Sequence, residues 1–281
     1  MLTLLVLAGM LDGLRQADAR VAAIAWRLQT ANVATCRDVA SLPGFSIETL
    51  DQYTAAERAE ATAAFALHDL PQVSAVVPDS AAAKAGLAVG DEIAQIDDVA
   101  LPRVRGGPAS YDTTAAAEAA IAASLAHSPA KLTLKFRTIN LSGDPGCASQ
   151  VQLVPGARLD ASADGHYVQI SGAMYQLADD DAELAFVIAH ELAHNLFPEA
   201  KRVTGSGKGQ RAAELAADRR AIAMIDRAGY DVSKVVPFLQ RVSRKRALSW
   251  LDGSHPAWRA RIVAAAAVVQ ALGDRTPVSG Q

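Results

Sequence analysis

Apolar residues recur at helical spacing in four stretches of the chain. From Ala17 to Leu28 they fall at Val21, Ile24, Ala25 and Leu28. Thr113 to Ala126 is alanine-rich with apolar spacing, Asp181 to Leu196 has helical periodicity, and a further helix runs from about Gln210 to Ala228 and stops at Gly229. Strict alternation, which marks a half-buried strand, occurs twice. In Lys131 to Ile139, Leu132, Leu134 and Phe136 face one way, with Lys131, Lys135 and Arg137 among the others. The second case is Tyr167 to Ser171. Ile93 to Val99 supplies another strand, and Val263 to Leu272 reads as a buried or amphipathic helix. Pro198 to Gly209 is polar and carries Gly205, Gly207 and Gly209, so it predicts a flexible crossing loop. The pattern is that of an α+β protein.

A length of 281 residues allows about two domains, and a chain that is 51% hydrophobic can bury a core in each. With a net charge of −3 and no long basic run, nucleic acid is not an expected partner. Arg241, Arg244, Lys245 and Arg246 read as a helix C-terminus that complements its dipole. Met1 to Leu11 is apolar but short of the about 20 residues needed to span a bilayer, and no other segment qualifies. It is either the remainder of a secretory signal or the start of the helix that continues to Leu28.

The candidate chemistry lies at His190-Glu191-Leu192-Ala193-His194. Histidines four apart on a helix share one face, which lets both imidazoles reach one zinc ion. Glu191 follows the first of them, where its carboxylate can take a proton from a metal-bound water. Such a site needs a third ligand and a carboxylate that orients a ligand histidine. Glu214-Leu215-Ala216-Ala217-Asp218 offers both, since Glu214 and Asp218 also share a helix face. Taken alone, that pair is equally an exposed face making ion pairs with Arg211, Arg219 or Arg220.

Over about Asp160 to Gly273 the chain resembles the M48 peptidases, the HtpX type and their soluble bacterial relatives. The resemblance rests on Tyr167 to Gly172, Asp181 to His194, Glu214 to Asp218, Ala228-Gly229-Tyr230-Asp231, and Ser254-His255-Pro256 followed by Arg261-Ile262. It implies a mainly helical, gluzincin-type zincin domain holding one Zn2+ per chain. His190, His194 and Glu214 would be its ligands, Glu191 the catalytic base, and Asp218 the group that orients a ligand histidine. His255 would either stabilise the oxyanion or cap the zinc in a resting state, though a histidine before Pro256 also suits a plain helix start. The strand Tyr167-Val168-Gln169-Ile170-Ser171 would be an edge strand that pairs with extended substrate.

Upstream, Val76-Val77-Pro78-Asp79-Ser80-Ala81-Ala82-Ala83-Lys84-Ala85-Gly86-Leu87 and Gly90-Asp91-Glu92-Ile93 resemble the core of a bacterial PDZ domain. A Gly-Leu-Gly-Phe type carboxylate loop is not evident. The nearest candidate, Ala64-Phe65-Ala66-Leu67, lacks the glycine that lets amides turn toward a carboxylate. The module therefore either binds a peptide or an intramolecular partner, or serves as a packing unit that gates the protease.

The expected division is an N-terminal helical segment at 1–60 packed on the protease domain, a PDZ-like domain at 61–140, and the metalloprotease domain at 141–281. The expected activity is zinc-dependent endopeptidase action on unfolded or misassembled envelope proteins. The alternatives are a zinc-binding peptide adaptor with latent proteolysis and a zinc exopeptidase. Cys36 and Cys147 flank the PDZ-like segment. If they pair, a periplasmic or secreted location follows; if both are free thiols, a cytoplasmic one.

Overall fold

The computed structural model describes residues 2–127, 129–201, 207–246 and 258–274, and for 2–8, 207, 208 and 246 the backbone alone. The chain forms two compact units. Met1–Trp26 and Ala40–Gly146 make the first, Arg27–Val39 and Cys147–Gln281 the second. Helix α1 (Leu2–Ala31) contributes to both. Its apolar stripe is buried as the spacing predicts, with Val21, Ile24, Ala25 and Leu28 all in the interior.

After α1 the first unit contains β1 (Val39–Leu42), β2 (Phe45–Glu48), α2 (Arg58–Phe65), β3 (Gln72–Val76), α3 (Ala81–Lys84), β4 (Ile93–Ile96), β5 (Val99–Ala100), α4 (Asp112–Leu125), β6 (Ala130–Leu134), β7 (Thr138–Leu141) and β8 (Asp144–Cys147). Strands β5-β4-β6-β7 form one sheet, and β2-β3 and β1-β8 form two-stranded pairs. The core joins Phe45 and Ile47 of β2, Ile93 and Ile96 of β4, and Leu132 and Leu134 of β6 to Ala117, Ile121 and Leu125 on one face of α4. Alternation along β6 holds as far as Leu134. There the chain turns back, the Leu134 amide donating to the Arg137 carbonyl, so Phe136 lies on the turn and is 90% exposed instead of facing inward.

Two sequence expectations change here. Residues 1–60 are not a helical segment apart, because β2 pairs antiparallel with β3 and so belongs with the strands that follow. Met1–Trp26 groups with this unit as well, and the unit runs on to Gly146 because β7 pairs with β6. Ala64 to Leu67 is no carboxylate loop. It is the end of α2, where Phe65 and Leu67 are buried with Leu11 and Ala61. A glycine loop does exist at Leu42-Pro43-Gly44-Phe45, directly before β2, with Gly44 at φ 74°. A Cβ on Gly44 would lie 2.5 Å from that of Ser80, so close packing alone also requires glycine there.

The second unit contains β9 (Gln150–Val154), β10 (Ala161–Ala163), β11 (Tyr167–Ser171), α5 (Gly172–Leu177), α6 (Asp181–Leu196), α7 (Gly207–Arg227), α8 (Val235–Arg246) and α9 (Trp258–Gly273). Helix α6 starts where Asp180 caps the Glu183 amide at 3.0 Å, and it is buried without a break from Ala182 to His194. A helix apolar on all sides belongs inside a core, and α6 packs against α7, α8 and the β10–β11 hairpin. At its end the Asn195 side chain accepts from the Gly165 amide at 2.7 Å and donates to the Tyr167 carbonyl at 3.1 Å, which pins the hairpin turn to the helix. Arg241 of α8 pairs with Glu183 and Asp179 at the start of α6, so this part of the basic cluster has a structural task. Cys36 and Cys147 form a disulfide, their Cα atoms 5.5 Å apart. No helix among the described residues is long and apolar enough to cross a membrane.

Candidate metal centre

Helices α6 and α7 bring three side chains to one buried point, His190, His194 and Glu214, with Glu191 buried on the same helix and lining the same pocket as His190. His190, Glu191 and His194 come from α6 and Glu214 from α7, each no more than 5% exposed. The two histidine Nε2 atoms lie 3.1 Å apart. A Glu214 oxygen is 3.4 Å from Nε2 of His190, and the other is 3.5 Å from Nε2 of His194.

The ring nitrogens on the far side fix this arrangement. Nδ1 of His190 faces a carboxylate oxygen of Asp218 at 2.9 Å, and Nδ1 of His194 faces the Ala200 carbonyl at 2.5 Å. Both partners are acceptors, so each imidazole keeps a proton on Nδ1 and, when neutral, turns the Nε2 lone pair inward. Two ring nitrogens and a carboxylate crowd together at hydrogen-bond range, an arrangement that needs a proton or a metal cation among them. Among the described residues this trio is the group whose ligand atoms converge within 4.8 Å, and it has the imidazole and carboxylate chemistry of a transition-metal site. The residues present fit a metal ion.

Asp218 lies one helical turn beyond Glu214 and is 1% exposed. Arg261 of α9 grips it with two hydrogen bonds of 2.7 Å and approaches a Glu214 oxygen at 3.2 Å. Burial pushes the Asp218 carboxyl up, but Arg261 and His190 outweigh it and hold the group down at about 2. Burial also pushes His190 down, and the hydrogen bonds to Asp218 and Glu214 override it to leave the imidazolium up at about 9. A metal binding at Nε2 must therefore displace a proton.

Sequence reasoning named every residue of this cluster except Arg261 in its role. The signal was the Arg261-Ile262 pair, which carried no assignment because its partners lie on another helix. His255 lies outside the described residues. Tyr167 to Ser171 is not an edge strand. β11 is the middle of its sheet, antiparallel to β10 on one side and parallel to β9 on the other, so its backbone groups are taken.

Among the described residues an edge is offered by β10. Asp160 accepts from the Ser171 amide and Asp164 donates to the Tyr167 carbonyl, so even-numbered residues face β11. Alternation in an antiparallel pair then aims the N–H and C=O groups of Ala161 and Ala163 outward. Ala161 lines the same pocket as His190 and Glu191.

A buried His2Glu cluster with a carboxylate beside the first histidine defines a metal-dependent peptidase. Comparison with protein families agrees. Residues 137–204 match peptidase family M48 and residues 72–136 match the PDZ domain. The chain is a metallopeptidase that is similar to peptidase family M48 over residues 137–204 and carries a PDZ domain at 72–136. No curated relative matches it.

Proposed function

We propose that the chain is a zinc-dependent endopeptidase, with His190, His194 and Glu214 as ligands and Glu191 as general base. The observation that carries this reading is the convergence of the two Nε2 atoms, 3.1 Å apart, with one Glu214 oxygen 3.4 Å from His190 and the other 3.5 Å from His194. Bound there, zinc would polarise a scissile carbonyl and acidify its water. Glu191 would serve as general base toward the attacking water and later as general acid toward the leaving amine. Asp218 and the Ala200 carbonyl keep the imidazoles in the tautomer that binds metal. The substrate main chain adds as a strand to the outward groups of Ala161 and Ala163, which gives affinity without sequence demand and suits unfolded polypeptides. His255 is assigned to the oxyanion or to a resting cap on the metal, by resemblance alone.

Unfolded or misassembled envelope proteins are the proposed substrates and the periplasm the proposed compartment, a reading supported by the Cys36–Cys147 disulfide. The PDZ unit is read as a peptide-binding module. Among the described residues β2 pairs with β3 alone, leaving a second edge beside α4, and Leu42 to Phe45 lead into it.

The test is cleavage of casein by zinc-loaded wild type and by Glu191→Gln. The expected result is cleavage by the wild type only, with both proteins retaining metal and Glu214→Ala losing it. Equal cleavage by Glu191→Gln would refute the assignment of the base.

A further inference from the structure

The second unit holds a pocket against the metal cluster that the mechanism above does not use. It encloses about 410 Å3 of empty space, mouth included. Phe186 and Val187, one turn before His190 on α6, form one wall. Phe238, Leu239 and Val242 of α8 form another, and Met174, Trp258 and Ala161 complete it. Its polar members are His190, Glu191 and Arg261.

The lining decides what can enter. Arg261 is 3% exposed and engaged by Asp218 and Glu214, so an incoming carboxylate would have to compete with two buried partners. An ammonium could pair only with Glu191, and that would occupy the base. Either charge would lose its water among aromatic and aliphatic walls without a compensating partner. An apolar side chain meets no such penalty. Aromatic and aliphatic groups make up most of the wall, the kind of lining that receives an apolar side chain. Because Ala161 is in both the wall and the free edge of β10, a strand laid on that edge runs past the mouth with alternate side chains facing it.

We infer that this pocket is the specificity site of the enzyme and takes one large apolar side chain, such as leucine, methionine or phenylalanine, from a residue flanking the scissile bond. This rests on the peptidase reading. Burying such a side chain instead of alanine selects by about 10- to 100-fold.

The test uses the full-length zinc-loaded protein and two series of quenched fluorescent peptides. One varies the residue before the scissile bond and the other the residue after it, through Leu, Phe, Ala, Lys and Asp. Binding of the same peptides to Glu191→Gln is measured in parallel by anisotropy. In one series kcat/KM should rank Leu and Phe about 10- to 100-fold above Ala, Lys and Asp. Val242→Phe should fill the pocket and reverse that ranking toward Ala, whereas Met174→Ala should enlarge it and admit Trp. Cleavage with no preference in either series would overturn the inference. If nothing is cut but Glu191→Gln binds the Leu and Phe peptides preferentially, the pocket stands and the peptidase reading fails. If neither cleavage nor preferential binding is seen, the inference falls.

Discussion

The pair formed by Arg261 and Asp218 gives the sharpest quantitative test of the site. Both groups are almost fully buried and joined by two charge-assisted bonds of 2.7 Å. Bonds of this type contribute about 1.5–3 kcal/mol each, and stranding one member of a buried pair costs about 3–5 kcal/mol. Arg261→Met preserves much of the side-chain volume but leaves Asp218 with His190 as its remaining named partner, and removes the cation 3.2 Å from Glu214. The variant should therefore lose about 3–5 kcal/mol of stability in the presence of a chelator.

Asp218→Asn should also destabilise, because the guanidinium then keeps Glu214 but loses its bidentate acceptor. The double variant should cost less than the sum of the two, with a coupling of about 2–3 kcal/mol, since neither partner is then stranded. Urea unfolding with EDTA present, followed by circular dichroism and by the fluorescence of Trp258, whose ring lies 4.7 Å from the guanidinium carbon, measures all four corners. A loss below about 1 kcal/mol for Arg261→Met, or strict additivity in the double variant, would refute the claim that this pair organises the metal cluster.

Four further outcomes follow from the same geometry. Asp218 is held at about 2 against an ordinary 3.8, so it stabilises the fold above pH 3.8 and loses that effect as pH falls through about 2. The gap between wild type and Asp218→Asn in chemical denaturation should close by about 2 kcal/mol over that window, and a gap that widened with acid would contradict the sign. The Cys36–Cys147 loop spans 111 residues, worth about 5 kcal/mol by chain entropy if its ends were otherwise free. That restraint acts on the unfolded chain, where β1 and β8 are unpaired, so the double Cys→Ser variant should lose about 2–5 kcal/mol by calorimetry, and a loss below about 1 kcal/mol would refute the chain-entropy account. Ala163→Pro removes an amide that faces the open edge, so KM for casein should rise by about tenfold while stability changes little; an unchanged KM would move substrate off β10. A labelled peptide with a free C-terminal carboxylate should bind the protein more tightly than its C-terminal amide, and equal anisotropy curves would leave the PDZ unit without a carboxylate site.

What was legible in the sequence was whatever lies within one element. Helix α6 runs from Asp181 to Leu196, as its periodicity indicates, because a capping aspartate starts it and burial on all sides demands an apolar run. Glu214 and Asp218 share a face by helical geometry alone, and α7 begins only at Gly207, inside the expected loop. The PDZ core was legible from Val76 to Ile93. The strand β2 that pairs with β3 was not, because Thr49 to Pro71 separates Leu42-Pro43-Gly44-Phe45 from that core, and a search just upstream meets the buried end of α2 first.

What stayed hidden depends on partners far away in the chain. Tyr167 to Ser171 alternates as a half-exposed strand would, and alternation reports burial of one face without reporting edges. Whether its backbone is free is decided by Gln150 to Val154 and Ala161 to Ala163, neither of which alters its own pattern. Ala161-Ser162-Ala163 in turn is too short and too small to announce a strand. Arg261 shows the same limit in a charged residue. As sequence it is one arginine in an alanine-rich helix, while in the fold it offsets two buried carboxylates beside the candidate metal site. With zinc bound and both histidines neutral, the +2 of the metal and the +1 of Arg261 balance Glu191, Glu214 and Asp218. Removing the arginine would leave a net negative pocket, which holds metal more tightly by Coulomb attraction but less well oriented, since Asp218 would be free to leave His190. The measured zinc affinity of Arg261→Met therefore separates the two effects. A tighter site would mean that charge dominates, and a weaker one that orientation of the Asp218–His190 contact is the arginine's main contribution.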